Sequence, residues 1–341
     1  MSSNAVVIPT AGLRGARWPG LALAAALAGI AVPITSWSAA YGVAVSPLVV
    51  ALLLGLAVAQ VRTLPALVEP GLAFACRPLL RTAIVLLGLR IGLRDIAAVG
   101  FSGVAAIAGV VGATLLFGTW LGRRLGLSGN QSLLLAAGHA ICGAAAIAAV
   151  DSVLRAKEQE VVRSLAMITL GGTVVMLLCP LLGGLLDLSP QVYGFWVGGS
   201  VHEVAQAVGA GFARGEQCGE AASLFKMVRV GCLLPVGAVV AVVVARREHR
   251  ATRSLRGLVP WFVVGFAAVA LIDAAGLVPA AAAGLLRQLC TVSMTVAMAA
   301  LGLKSSVRDL ASAGLRPLLV AGATTLFVSL AALGMALLVA R

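Results

Sequence analysis

Leu87-Gly88-Leu89-Arg90-Ile91-Gly92-Leu93-Arg94-Asp95-Ile96-Ala97-Ala98-Val99-Gly100 aligns without gaps on Leu301-Gly302-Leu303-Lys304-Ser305-Ser306-Val307-Arg308-Asp309-Leu310-Ala311-Ser312-Ala313-Gly314, with seven of the fourteen positions identical. Leucines and alanines match by chance in any apolar chain. The shared Arg-Asp pair and the two shared glycines do so less readily. Each copy joins two apolar stretches, so the repeat marks two related units at distant places in one chain.

Outward from these copies the chain is built of apolar blocks. Spans are expected near 18–36, 43–60, 79–95, 97–121, 161–186, 220–245, 258–276, 282–303 and 315–340. The chain is 61% hydrophobic and only 11% charged, too few charges to cover a water-soluble fold of 341 residues, where about 25% is usual. A membrane helix needs about 20 mostly apolar residues. The fold class is therefore all-α integral membrane, with about 9–11 transmembrane segments in a single polytopic domain over 1–341. Arg14 and Arg17 followed by Leu21–Ile34 resemble a signal peptide. The apolar block that follows at once favours an uncleaved first span after a short cytoplasmic N-terminus, 1–17.

Net charge is +13. The basic residues sit between apolar blocks, most densely at Arg246–Arg256, and the positive-inside rule explains such clusters without a ligand. No nucleic acid is expected as a partner. The six cysteines show no metal spacing, and with three histidines no metal site or cofactor is expected.

Two segments differ from the bland spans. Asn130–Asp151 contains Gly138-His139-Ala140-Ile141-Cys142-Gly143, and Gln191–Phe212 contains Gly198-Gly199-Ser200-Val201-His202-Glu203-Val204-Ala205-Gln206. They read as two glycine-rich broken or re-entrant helices. With Lys226 and Arg229 left out because they fall within a span, 18 Lys and Arg lie inside and five outside if both fold back; if both cross, the split is 15 to eight. Charge favours folding back, with an inside N-terminus, an inside Arg246–Arg256 loop and an outside C-terminus. In that topology 79–121 and 293–340 form an inverted-repeat pair. A weaker echo links 130–186 to 190–245: each runs from a glycine-and-histidine segment through Glu-Gln (Glu158-Gln159, Glu216-Gln217) into a span with a proline. Inverted repeats around a midplane site characterise secondary transporters. A duplication with no transport role is the plainer alternative.

Glu203 is the one acidic residue set deep in an apolar-and-glycine segment. A carboxylate there costs about 2.5–3.5 kcal/mol on insertion scales and needs a partner or a proton. It reads as a proton carrier or as a structural hydrogen bond to a backbone break. His202 adjoins it, and Gln206 shares its helical face. His139, Cys142, Gly143 and Ser200 complete the candidate set, the small residues allowing close backbone approach to a solute. Lys226 and Arg229, three apart, can face the same way and bind an anion, or snorkel to the interface. No nucleotide loop, dinucleotide fingerprint or nucleophile elbow is present, which disfavours an ATP-driven pump. Gly171-Gly172 and Gly183-Gly184 read as helix-packing sites.

These pieces, with Ile84-Val85-Leu86-Leu87-Gly88-Leu89-Arg90, Ile141-Cys142-Gly143-Ala144-Ala145-Ala146-Ile147, Val201–Gln206 and Lys226-Met227-Val228-Arg229-Val230, resemble the YeiH-type family of bacterial inner-membrane proteins, which carries a sulfate-exporter label. The resemblance runs from about Leu79 to the C-terminus. It implies an inverted-repeat fold related to cation:proton antiporters and bile-acid symporters. The expectation is a multi-pass inner-membrane secondary transporter, not an enzyme. Its solute is a small anion, sulfate or an organic sulfonate, coupled to a proton or sodium gradient. Rival readings are a sodium/proton antiporter, a channel and a membrane-embedded enzyme. Beyond the lipid bilayer and the solute, a homodimer stays an open arrangement.

Overall fold

The computed structural model describes residues 16–40, 46–61, 63–91, 93–248, 260–305 and 314–339. Every regular element among them is helical. Among the described residues, seven helical segments are long and apolar enough to cross a membrane, and three shorter apolar helices accompany them. Within the one polytopic chain two compact units form: Met1–Arg81 with Thr291–Ser305, and Thr82–Cys290 with Ser306–Arg341.

The first unit contains α1 (Trp18–Ala40), α2 (Pro47–Val61), α3 (Glu69–Phe74) and the end of α14 (Ala280–Leu303). Close backbone crossings at small residues hold it together, the usual device where lipid removes any hydrophobic drive between helices. A Cβ at Gly20 would stand 2.0 Å from the Val68 carbonyl oxygen, and one at Gly71 would stand 2.2 Å from that of Arg17. Gly55 and Gly302 make the same reciprocal crossing between α2 and α14, at 2.3 Å from the Ala299 oxygen and 2.2 Å from the Leu52 oxygen. The sequence places a span at 79–95; the apolar helical segment instead runs from Glu69 to Arg90. Its prolines hid the start. Pro70 lies in the first turn, where its missing N–H costs nothing. Pro78 lies in a π-helical turn, Ala75–Leu79, between α3 and α4 (Leu80–Leu87).

The second unit begins with α4 and a short 3-10 turn, Gly88–Arg90. Then come α5 (Leu93–Arg124), α6 (Gly129–Ala140), α7 (Ala144–Leu154), α8 (Glu158–Leu185) and α9 (Pro190–Ser200). After these follow α10 (Val204–Phe212), α11 (Glu216–Gly231), α12 (Leu233–Glu248), α13 (Trp261–Ala274), the start of α14, and α15 (Leu315–Val339).

The two copies of the fourteen-residue repeat perform matching jobs. Gly88 crosses α13 as Gly302 crosses α2, with a Cβ position 2.5 Å from the Phe266 oxygen. Gly100 and Gly314, the last matched glycines, both take positive φ (54° and 89°), which only glycine adopts without strain. The matched basic residues both hold a glutamate: Arg90 Nη1 lies 2.8 Å from Glu216 Oε1, and Lys304 pairs with Glu69. Arg308 and Asp309, residues 1–15 and residues 249–256 of the basic loop lie outside the described residues, so the matched Arg-Asp pairs and the placing of the basic loop stay sequence expectations.

These crossings predict a sharp contrast. Gly88→Leu and Gly302→Leu should each lower the melting temperature of detergent-purified protein, overpacking costing about 1–3 kcal/mol or more. Gly322→Leu should leave it unchanged, since nothing lies within 4 Å of a Cβ there. Equal melting temperatures for all three would contradict the assignment.

Candidate functional site

The two unusual segments are broken helices of one design. Ser128 caps α6, its hydroxyl accepting from Gln131 N–H at 3.1 Å. Ser189 caps α9, accepting from Val192 N–H at 3.5 Å. Helices of 12 and 11 residues follow. Both then stop, at Ile141–Gly143 and at Val201–Glu203, before α7 and α10 resume. The long helices beyond, α8 and α11, start on the matched Glu158 and Glu216. Each break leaves unpaired carbonyls at the end of one half-helix and unpaired N–H groups at the start of the next.

α11 carries the carbonyl side of both breaks. Gly194 and Gly198, four apart on α9, let the backbones approach: a Cβ at Gly198 would stand 2.6 Å from the Ala222 oxygen. At that spacing Lys226 Nζ donates to Ile141 O (2.9 Å), Val201 O (2.7 Å) and His202 O (2.6 Å). All three neighbours are acceptors, so Nζ supplies three N–H bonds and is the ammonium form. Arg229 donates from Nε to Ala140 O (2.7 Å), from Nη1 to Val201 O (2.8 Å) and Gly198 O (3.4 Å), and from Nη2 to His139 O. Both side chains are wholly buried. Cations at helix C-termini satisfy orphan carbonyls and oppose the negative end of the helix dipole.

Glu203 stands on the other side of the breaks. It is the N-cap of α10 and pairs reciprocally with Gln206, whose Oε1 accepts from Glu203 N–H at 3.2 Å. Gln206 Nε2 donates to Thr169 O (2.9 Å) and Thr173 Oγ1 (3.3 Å) on α8. The Thr169 hydroxyl donates to Glu203 Oε1 at 3.3 Å. Across the gap lies Gly143, N-cap of α7, with φ +71°. A Cβ there would meet Glu203 Cγ at 2.7 Å. The carboxylate is thus set beside the N-terminal, positive ends of both second half-helices. It is half-buried, whereas His139, His202, Gln206, Lys226 and Arg229 are fully buried.

The two histidines touch. Their ring centroids lie 4.6 Å apart, edge to face. His139 Nδ1 donates to Leu135 O at 2.8 Å, and His202 Nδ1 lies 3.3 Å from Ser200 O. A neutral His202 then accepts at Nε2 from the Thr325 hydroxyl of α15, 3.0 Å away. His139 Nε2 has no hydrogen-bond partner among the described residues.

The charges can be summed. The ends of α6 and α9 bring about half a negative charge each, and the starts of α7 and α10 about half a positive charge each, which cancel. With both imidazoles neutral, Lys226, Arg229 and Glu203 remain. The meeting point carries about one net positive charge with Glu203 ionised and about two with it protonated, and such a place favours an anion.

All nine sequence candidates gather at this meeting point. Lys226 and Arg229 reach it through main-chain carbonyls of both breaks, with all three Lys226 donors so engaged. Ser200 donates to Trp196 O at 2.6 Å. Cys142 lies in the first break, and all six cysteines are free thiols. Thr169, Thr173 and Thr325 escaped the sequence reading. Gly172, expected at a helix contact, makes room for Gln206, whose Oε1 lies 2.0 Å from where its Cβ would stand.

A family model described as conserved hypothetical protein 698 matches residues 19–321. A UPF0324 membrane protein of Corynebacterium glutamicum is 38% identical over 296 residues, covering 85% of each chain. The UPF0324 membrane protein TauZ of Paracoccus denitrificans is 35% identical over 328 residues, 95% of this chain and 96% of its own. The UPF0324 inner membrane protein YeiH of Salmonella typhi is 36% identical over 311 residues, 89% of this chain and 88% of its own. No solved structure matches the chain.

Proposed function

We propose that this chain, which belongs to the family described as conserved hypothetical protein 698, is a secondary transporter of a small anion with a proton carried by Glu203. It is a multi-pass protein of the bacterial inner membrane. One observation supports the transport reading above the rest: two helix breaks meet, their carbonyl ends are held by Lys226 and Arg229, and their N-terminal ends face Glu203. Broken half-helices that present N-termini to an anionic group are the transporter form of a helix-terminus anion site. The matched pairs 79–121 with 293–340 and 130–186 with 190–245 enter this proposal as inverted repeats.

The charge sum gives the coupling a sign. Protonating Glu203 adds one positive charge to the meeting point and so tightens anion binding. By reciprocity, a bound anion tightens proton binding by the same factor. Anion and proton then travel in the same direction. The sum also tells against a sodium/proton antiporter, because a net positive centre repels sodium. No catalytic role is assigned. The solute class to try first is sulfate and organic sulfonates, on the family resemblance.

Proteoliposomes holding the purified chain give the test, with labelled anions offered outside. An acidic exterior should drive saturable uptake above that at equal pH, and collapsing the gradient should abolish the excess. Sodium-driven proton flux without any anion requirement would instead establish the antiporter.

A further inference from the structure

We infer that the groove bounded by α5, α6, α7 and α12 binds an anionic phospholipid, with its acyl part in the groove and its phosphate on Arg123 and Arg124. This is independent of the transport reading. The groove encloses about 560 Å³, within the range of sites that hold a specific ligand. Its walls are apolar: Leu115 of α5, Leu133 of α6, Leu154 of α7, and Val240 and Val243 of α12. Below the arginine end, Thr119 is the one polar side chain among the lining residues, and in a bilayer the occupant of such a groove is a lipid chain.

One end of the groove is different in kind. Arg123 and Arg124 close α5 there, both exposed. The Arg124 guanidinium lies 5.9 Å from the centroid of the Trp120 ring, an indole that is itself exposed. Tryptophan beside arginine is the arrangement of the headgroup level, where an amphipathic ring sits. The first residues of α6, Gly129 and Asn130, line the same end. Ser128 Oγ accepts from Gln131 N–H and its carbonyl from Ser132 N–H, so Gly129 and Asn130 carry the first-turn N–H groups that this cap leaves over. Two guanidinium groups and a helix N-terminus together match a phosphate diester.

A separate observation points to a bound molecule. Thr119 lines the groove one turn below the arginines, and its Oγ1 is buried with no hydrogen-bond partner among the described residues. A buried hydroxyl left unbonded is costly. The ester carbonyl of a glycerolipid, just below its phosphate, would accept from it.

The chemistry selects an anionic headgroup over a zwitterionic one, whose positive group would meet the two arginines. Native mass spectrometry of the full-length chain in detergent tests this, with phosphatidylglycerol and phosphatidylcholine added in turn. Phosphatidylglycerol should bind at least about tenfold more tightly. Arg123→Gln with Arg124→Gln should remove that preference, about thirtyfold at about fivefold per arginine near the membrane surface. Val243→Trp, which fills the groove and keeps both arginines, should lower binding of both lipids. Equal binding of the two lipids by the parent, an undiminished preference in the double glutamine variant, or undiminished binding of both lipids by Val243→Trp would overturn the site.

Discussion

Arg229→Met is expected to abolish accumulation of folded protein in the membrane. The substitution removes four hydrogen bonds, to His139, Ala140, Gly198 and Val201 carbonyls, and puts an apolar chain against helix ends that stay buried. Each buried acceptor left unpaired costs about 1–3 kcal/mol, so losing several removes a large part of a domain's net stability of about 5–15 kcal/mol. Arg229→Lys keeps the charge but loses the planar fork, so it should fall between parent and Met variant. Lys226→Met should behave like Arg229→Met, with loss of fold preceding any loss of anion affinity. Membrane abundance and thermal melting in detergent are the measurements. A parent-like melt for Arg229→Met would mean the carbonyls are satisfied some other way.

Glu203→Gln should show the opposite profile, with normal abundance and altered transport. Glutamine keeps the shape, and its carbonyl oxygen can still accept from the Thr169 hydroxyl and the Gln206 N–H. It also fixes the centre in the charge state of the protonated parent. A unit charge within about 10 Å, at an effective dielectric of about 20, is worth about 1.7 kcal/mol. Anion binding by the variant should therefore be more than about tenfold tighter than the parent's at alkaline pH and equal to it at acid pH. Uptake driven by a pH gradient should vanish. The groups that face Glu203 and could mask the effect are Cys142, His202 and Lys226, so the pH profile should be repeated in Cys142→Ala. A Glu203→Gln profile that still follows pH would remove Glu203 as the proton carrier.

Much of this architecture was legible in the chain because lipid enforces simple rules. Apolar runs such as 161–186 and 315–340 had to be helices, and they end within a few residues of Glu158–Leu185 and Leu315–Val339. The repeat was legible through its glycines, because Gly88 and Gly302 lie at backbone crossings and Gly100 and Gly314 adopt positive φ. Those demands leave a mark on residue type. The start of the third span was missed because Pro70 and Pro78 look like loop signals until a first turn and a π-turn absorb them.

At the site, the residues singled out in the sequence meet in the fold, but their partners were not legible. Lys226 and Arg229 were noticed because charge is rare in an apolar span. Their partners are main-chain carbonyls of residues 139–141 and 198–202, and a carbonyl leaves no trace in residue identity. Thr169 and Thr325 were passed over for a related reason: a threonine in a helix can satisfy its hydroxyl on its own backbone, so its presence there is uninformative. Only the fold shows that these two point at Glu203 and His202.

The reach of α11 has a mechanical consequence. Three of its seven hydrogen bonds end on the first break and four on the second, all from two side chains on one helix. Drawing either break away alone would strip at least three bonds from buried cations, each about 1.5–3 kcal/mol for a charged donor. The two breaks and α11 are riveted into one stiff body. Any motion that exposes Glu203 first to one side of the membrane and then to the other must carry this crossing along whole, with the slippage taken up at the helices around it.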